Sequence, residues 1–233
     1  MAASWDNIDN IYCISVAERT DRQAEAGVQF VRVGLSARVE FVMVKKHPTD
    51  CEQGIYESHL LCMKKGLKAG ADRILIFEDD VVFERFDAET LVDGIEFLCR
   101  NHPWHMLFLG CMVRGSRPTA HPSVRKIKYR SLTQAYVIHR RFAEVLLRHP
   151  WRNIPYDDFL KSLRDDETYV VYPSIAFQSD SRSDNERYLP LDRFRRLCGG
   201  LKTLQKRNEF YHRHRPLIIG AHVLVFLLIV LAI

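Results

Sequence analysis

Three consecutive carboxylates, Glu78-Asp79-Asp80, close the apolar run Arg73 to Phe77 (R-I-L-I-F). Carboxylate oxygens bind hard divalent cations, and a bound Mg²⁺ or Mn²⁺ neutralises the charge of a departing diphosphate. A short apolar run that ends abruptly in acids has the profile of a central parallel strand whose C-terminal end opens into a site. On an extended backbone Glu78 and Asp80 point one way and Asp79 the other, so at most two converge on one ion unless the chain turns there. Asp80, helped by Glu78 or Asp79, is the preferred ligand. The same triplet could instead be an acidic strand-to-loop junction capping a helix near Glu89. A second acidic run, Asp165-Asp166-Glu167, precedes a strand rather than following one and reads as a solvated loop.

The elements that must position these residues follow from periodicity. Ile8 to Val16 reads as a buried strand, followed by a polar turn at Ala17 to Arg22 and a helix to about Val33. Val39 to Val44 is a second strand. Gly54 to Lys68 places Leu60, Leu61, Met63 and Leu67 near a helical period, with Gly70 closing the helix. Leu91 to Arg100 is helical and Met106 to Gly110 a strand, whereas Cys111 to Arg130, rich in Pro, Gly, Ser and Arg, reads as a long loop. Ala135 to Ile138 is strand-like, Arg141 to Leu147 helical, and Tyr169 to Tyr172 strand-like. Strands alternating with helices imply an α/β domain with a largely parallel sheet and helices on both faces.

With 233 residues, 47% apolar and 27% charged, the chain is long enough for one such domain plus appendages. Six cysteines without a C-x-x-C pair, several inside apolar runs, read as reduced thiols. No basic or apolar leader precedes Ile11, so the expected setting of the domain is reducing and cytoplasmic. Between Arg187 and Arg215 the chain is strongly basic, with only Asp192 and Glu209 opposing, and it runs directly into the apolar stretch Leu217 to Ile233. As a helix that stretch reaches roughly 25 Å, slightly short of a hydrocarbon core of about 30 Å. The basic flank places the domain on the cytoplasmic side of a single-pass C-terminal anchor. A buried or interfacial helix is the alternative, with His222 in its favour. The basic stretch has neither a nucleic-acid-binding motif nor an aromatic stacking platform, so no nucleic-acid partner is expected. The expected divisions are 1–185, 186–215 and 216–233.

Several segments round the triplet together resemble glycosyltransferase family 25, the group that contains bacterial lipooligosaccharide galactosyltransferases and collagen galactosyltransferase domains. Ile14 to Arg22 looks like the family's opening I-N-L-x-x-R-x-D-R, with Ser15 where Asn is usual. Gly54 to His59 looks like its G-x-x-G-C-x-x-S-H segment in compressed form, and Ile74 to Val81 is similar to its strand closing in E-D-D. Thr133 to Ile138 resembles T-x-A-Y-x-I, Pro155 to Asp158 the P-x-D region, and Pro173 to Ser183 the P-x-x-x-x-Q segment.

The resemblance implies a GT-A-like, Rossmann-like nucleotide-sugar fold and inversion at the anomeric carbon. It also implies a UDP-hexose donor, with UDP-galactose first, and a saccharide or glycolipid acceptor. Inversion by single displacement needs a base on the acceptor hydroxyl, and Asp157 or Asp158 is the candidate unless one of them merely caps the helix holding Phe159. Arg19 and Arg22 suit the donor diphosphate, since a guanidinium pairs bidentately with phosphate, or they form surface salt bridges. Ser58 and His59 would touch the donor or order the loop over it, with a packed polar role as the alternative for His59. Gln178 and Ser183 are placed to line the pocket. A non-catalytic membrane-bound sugar-nucleotide scaffold, and a phosphohydrolase using the acidic triplet, are the competing readings.

Overall fold

The computed structural model describes residues 5–231 apart from 6, 102, 180–194 and 196. The elements in chain order are β1 (Asn10–Val16), α1 (Thr20–Arg32), β2 (Val39–Val44), α2 (Cys51–Lys68), β3 (Arg73–Glu78), β4 (Val81–Phe83), α3 (Ala88–Asn101) and β5 (Met106–Phe108). They continue as β6 (Met112–Pro118), β7 (Val124–Ser131), β8 (Ala135–His139), α4 (Arg140–Leu146), α5 (Tyr156–Ser162), β9 (Thr168–Val171), β10 (Ala176–Gln178) and α6 (Gly200–Leu231).

Eight strands form one sheet in the order β2-β1-β3-β8-β5-β9-β7-β6, with β7 and β8 running against the rest. The sheet is thus mostly parallel, as the alternating elements imply. Strand β8 is the exception that matters, because it is inserted antiparallel between β3 and β5. Side chains alternate through β3: Leu75 and Phe77 join Ala26, Phe30, Leu91 and Ile95 under α1 and α3, while Ile74 and Ile76 join Tyr56, Met63, Phe142 and Phe159 under α2, α4 and α5. Both faces of the central strands are covered, which is why they read as continuous apolar runs. Helix α2 starts where Asp50 accepts from the Glu52 and Gln53 amides at 2.9 and 3.3 Å.

The segment expected as a long loop, Cys111 to Arg130, is largely the hairpin β6–β7 at the sheet's margin. Its Gly and Pro residues suggested irregularity, but Ile127 and Tyr129 point into the core while Lys128 and Arg130 point out, a period of two that the basic residues disguise. Charged side chains on such a marginal hairpin also discourage pairing with another chain.

The basic residues from Lys202 to Arg215 and the apolar tail share one helix, α6. Its first half is docked on the domain. Asn208 exchanges two hydrogen bonds with the backbone of Val113 in β6, at 2.9 and 3.0 Å, and buried Gln205 donates to the Ala176 carbonyl at 2.9 Å. Glu209 accepts from the Ser174 amide at 3.0 Å, and Lys202 pairs with Glu84 at 2.7 Å. By length and composition α6, Gly200–Leu231, is long and apolar enough to cross a membrane, and Leu217 and the run from Val223 to Leu231 are exposed. His222 lies in that run with Nδ1 at 2.6 Å from the Ile218 carbonyl one turn back, so the helix itself satisfies part of its polarity. Residues 180–194 and 196, which carry Ser183 and the first part of the basic stretch, lie outside the described residues.

Gly110 marks the tightest approach in this region. A Cβ there would sit 2.0 Å from the Ala176 carbonyl oxygen and 2.6 Å from Nε2 of Gln205. Gly110→Ala must therefore separate β5 from β10 and α6, with an expected loss of about 3 kcal/mol in urea unfolding. A chain ending at Arg215 keeps every docking contact and should melt like the full chain, whereas one ending at Gly199 should melt several degrees lower by calorimetry.

Candidate active site

The chain turns at Asp79-Asp80 immediately after β3, and that turn breaks the alternation expected of an extended strand. Asp79 and Asp80 both approach Arg22 of α1. Glu78 instead faces His59 of α2 and Thr133 ahead of β8. The Ser15 hydroxyl, near the end of β1, donates to Asp79 Oδ2 at 2.7 Å, and Arg22 Nη1 donates to Asp79 Oδ1 at 3.1 Å. The same nitrogen lies 3.7 Å from Asp80 Oδ2, which also accepts from Gln178 Nε2 at 2.8 Å. The Ser179 amide fastens the Asp80 carbonyl at 2.8 Å. Asp80 Oδ1 is buried and has no hydrogen-bond partner among the described residues.

Three neighbouring carboxylates cannot all keep ordinary acidities. Burial, followed by the charge of Glu78, pushes Asp80 up to about 7 against the pull of Arg22 and Gln178. Burial also raises Asp79, partly offset by Ser15 and Arg22. Burial alone would raise Glu78, but His59, with Nε2 at 3.5 Å, and the Thr133 hydroxyl at 2.6 Å carry it below the usual carboxylate range. An open cleft of about 280 Å³ lies beside Asp79 and Asp80, bordered by Glu25, Gln29, Val82 and Ser179.

A second carboxylate stands on the α2–α5 side of the sheet. Asp157, in the first turn of α5, accepts from the Tyr129 hydroxyl and from the Leu132 amide, the latter at 3.2 Å. Leu132 presents that amide from a backbone with φ +81, a conformation that branched side chains rarely adopt. Burial pushes Asp157 up to about 6, with Glu78 and Asp158 adding to the rise. Glu78 thus acts electrostatically on both Asp80 and Asp157.

The other anticipated residues are distributed unevenly. Arg19 forms a two-pronged pair with Asp21, at 2.9 and 2.8 Å, so it stands one turn from Arg22 and outside the carboxylate cluster. Ser58 donates to the Gly54 carbonyl one turn back at 2.6 Å. His59 is buried, stacked on Tyr156 with ring centroids 4.2 Å apart, and its Nδ1 lies 2.9 Å from the Tyr136 hydroxyl. Asp158 turns away to pair with Lys161. Neither Asp157 nor Asp158 caps α5, and α3 is capped by Asp87 rather than by the triplet. Sequence reasoning missed Thr133, Tyr129, Tyr136 and Tyr156, whose roles depend on β7, β8 and α5 meeting beneath the triplet. Ser15 had a signal, since it replaces an amide side chain in a matched segment.

Residues 36–160 match the family described as glycosyltransferase family 25 (LPS biosynthesis protein), more than half of the chain. The chain belongs to this family. Membership makes glycosyl transfer its class of activity, and the acidic turn stands at the end of β3 in the mostly parallel sheet. No curated protein sequence matches the chain significantly. Among solved structures, a glycosyltransferase involved in the glycosylation of the major capsid of PBCV-1 is 12% identical with a TM-score of 0.48, over 81% of this chain and 98% of that one. The galactosyltransferase LgtC, in complex with donor and acceptor sugar analogs, is 12% identical with a TM-score of 0.44, over 84% and 97%. A197 from STIV is 13% identical with a TM-score of 0.43, over 72% and 84%.

The raised acidity constant of Asp80 has a measurable consequence in this family 25 chain. In the unfolded state the group titrates near its ordinary value of 3.8, whereas in the fold it holds its proton up to about 7. Between those values the folded state binds more protons, so its contribution to stability declines as pH rises through the window. In EDTA at pH 8, Asp80→Asn should therefore stabilise the fold, by up to about 4 kcal/mol, and the gain should vanish below pH 4. Urea unfolding at the two pH values checks this.

Proposed function

We propose that the chain is an inverting, metal-dependent glycosyltransferase that moves a hexose from a UDP-sugar to a saccharide or lipid-linked acceptor. Galactose is the sugar that the family resemblance favours. The observation that carries the reading is Asp80, a buried carboxylate at the end of the central strand with one oxygen that has no hydrogen-bond partner among the described residues, beside an open cleft. Among the described residues no three His, Cys, Asp or Glu side chains gather into a ready-made cage. One or two carboxylates such as Asp80 and its neighbours, together with substrate phosphates, are oxygen donors of the kind Mn²⁺ or Mg²⁺ takes. Asp80 would be the direct ligand, while Asp79, with both oxygens engaged, and Glu78, facing His59, would serve as its supports. When bound, the ion supplies positive charge to the departing diphosphate.

The chain's own residues carry the remaining steps. Arg22 grips Asp79 and adds a fixed cation at the edge where the diphosphate would lie, with Arg19 one turn away. Asp157 takes the proton from the acceptor hydroxyl as that oxygen bonds to the anomeric carbon. On the opposite face the carbon–oxygen bond to the diphosphate breaks, and its electron pair leaves with UDP. An acidity constant of about 6 keeps Asp157 ionised at neutral pH, and Tyr129 and Leu132 hold its two oxygens in place. His59 and Gln178 set the directions of Glu78 and Asp80, and Ser58 stiffens the turn of α2 that carries His59. The exposed half of α6 would anchor the domain on the cytoplasmic side of a bilayer beside a membrane-associated acceptor.

Titration calorimetry with UDP-galactose, UDP-glucose and UDP-N-acetylglucosamine, each with Mn²⁺ and with EDTA, tests the donor site. One sugar nucleotide should bind only with metal, and Asp80→Asn should abolish that binding. Absence of binding under every condition would sink the reading. Asp157→Asn should keep donor binding but lower kcat by about 10²–10⁴-fold, with Asp158→Asn close to wild type. The wild-type rate should rise with pH through about 6 as Asp157 loses its proton.

A further inference from the structure

The hairpin β6–β7 and the docked half of α6 meet in a surface that the transfer reaction does not use. From Phe97 to Ala143 the chain contains no Asp or Glu. Within that stretch Arg114, Arg117, Lys128 and Arg130 are exposed on the hairpin and form no ion pair among the described residues. Arg207, Arg213 and Arg215 on α6 are likewise exposed and unpaired with any carboxylate among the described residues. The one acidic residue of this half-helix, Glu209, is turned inward to the Ser174 amide and Arg85.

The hairpin and α6 meet at Tyr172. Arg125 of β7 and Arg213 of α6 each lie against the Tyr172 ring, at 5.4 and 5.3 Å, and its hydroxyl accepts from Arg213 at 2.7 Å. His212, at the seam, is held below its ordinary value by burial and by Arg215, Arg130 and Arg125. Arg213 precedes Leu217, where the exposed apolar run begins, by about one helical turn, roughly 6 Å. The cationic seam therefore stands at the depth of a lipid headgroup layer when the tail is inserted, within one Debye length of the phosphates. Phe210 and Tyr211, 61% and 42% exposed, occupy the same level, where aromatic rings favour the bilayer interface.

We infer that the outer face of β6–β7 together with Arg207, Arg213 and Arg215 of α6 is a docking surface for the anionic phospholipid headgroups of the leaflet that α6 enters. The inference rests on the membrane reading of the tail and adds a second contact that seats the domain on that leaflet. Cations near an anionic leaflet are attracted individually, so several acting together hold the hairpin against the surface. An extended basic strip of this kind could also meet a nucleic acid, but the adjoining apolar helix and interfacial aromatics favour lipid.

The test uses the full chain in nanodiscs of phosphatidylcholine alone or mixed with phosphatidylglycerol, with a membrane-impermeant amine reagent and mass spectrometry as readout. Lys64 on α2, near the opposite edge of the sheet, is the internal reference. Labelling of Lys128 relative to Lys64 should fall by about tenfold in the anionic discs, and high salt should restore it. Arg130→Gln combined with Arg215→Gln, both at exposed positions, should remove most of the difference while the chain stays in the disc. Equal labelling of Lys128 in both discs, with the chain co-eluting with them, would overturn the docking surface and leave the anchor standing. Failure to co-elute with either disc would overturn the membrane reading and the docking surface with it. Stronger protection of Lys128 by a single-stranded oligonucleotide than by anionic discs would also overturn it in favour of a nucleic-acid surface.

Discussion

Mutual repulsion among Glu78, Asp79 and Asp80 is the constraint on which the surrounding structure depends. Left extended, the three would crowd one strand end in a partly dry environment, and the fold answers by turning the chain and giving each carboxylate separate company. Ser15 and Arg22 attend Asp79, Gln178 attends Asp80, and Thr133 and His59 attend Glu78. Those partners come from β1, α1, β10, the approach to β8, and α2. The antiparallel insertion of β8 brings Thr133 to the triplet, and the small pairing of β10 with β4 brings Gln178 there. The topology can be understood as what delivers five compensating groups to one place.

The compensation is incomplete at Asp80, and incompleteness of this kind is informative. A carboxylate kept half-protonated near neutral pH, with an oxygen that no described group satisfies, stores free energy that a cation can release. Asp157, at the start of α5, sits in a milder version of the same condition, with its oxygens already occupied. One carboxylate is thus short of partners and the other is furnished with them, a difference suited to binding an ion and moving a proton respectively.

Much of this is legible in the amino-acid sequence. Runs such as I-L-I-F before the triplet and V-E-F-V-M-V at β2 announce buried strands because both faces are apolar or nearly so. The ordered segments from Ile14 to Gln178 then brought the family into view, and with it Arg22, His59, Asp157 and Gln178 as residues to watch. The hairpin was hidden because its outward residues are Arg and Lys and β6 holds Gly115 and Pro118, so composition masked a period of two. The reach of α6 was hidden for a different reason: Gln205 and Asn208 look like ordinary polar helix residues, and only the approach of Val113 and Ala176 gives them work. Tyr129 and Thr133 belong to the same class, since nothing local marks a side chain whose partner lies across the sheet.

Because α6 is continuous from its docked half to its apolar half, the domain cannot adjust its height above a bilayer independently of the anchor. Where the apolar part of such a helix and the hydrocarbon layer around it differ in thickness, flanking residues are drawn inward or the lipid deforms around them. In a thick membrane the cationic seam would be pulled hard against the headgroups. In a thin one the same helix would relax, lifting the cleft beside Asp80 away from the surface and from any acceptor embedded in it. Bilayer thickness then becomes a variable to which the reach of the site responds, with no change in the site itself.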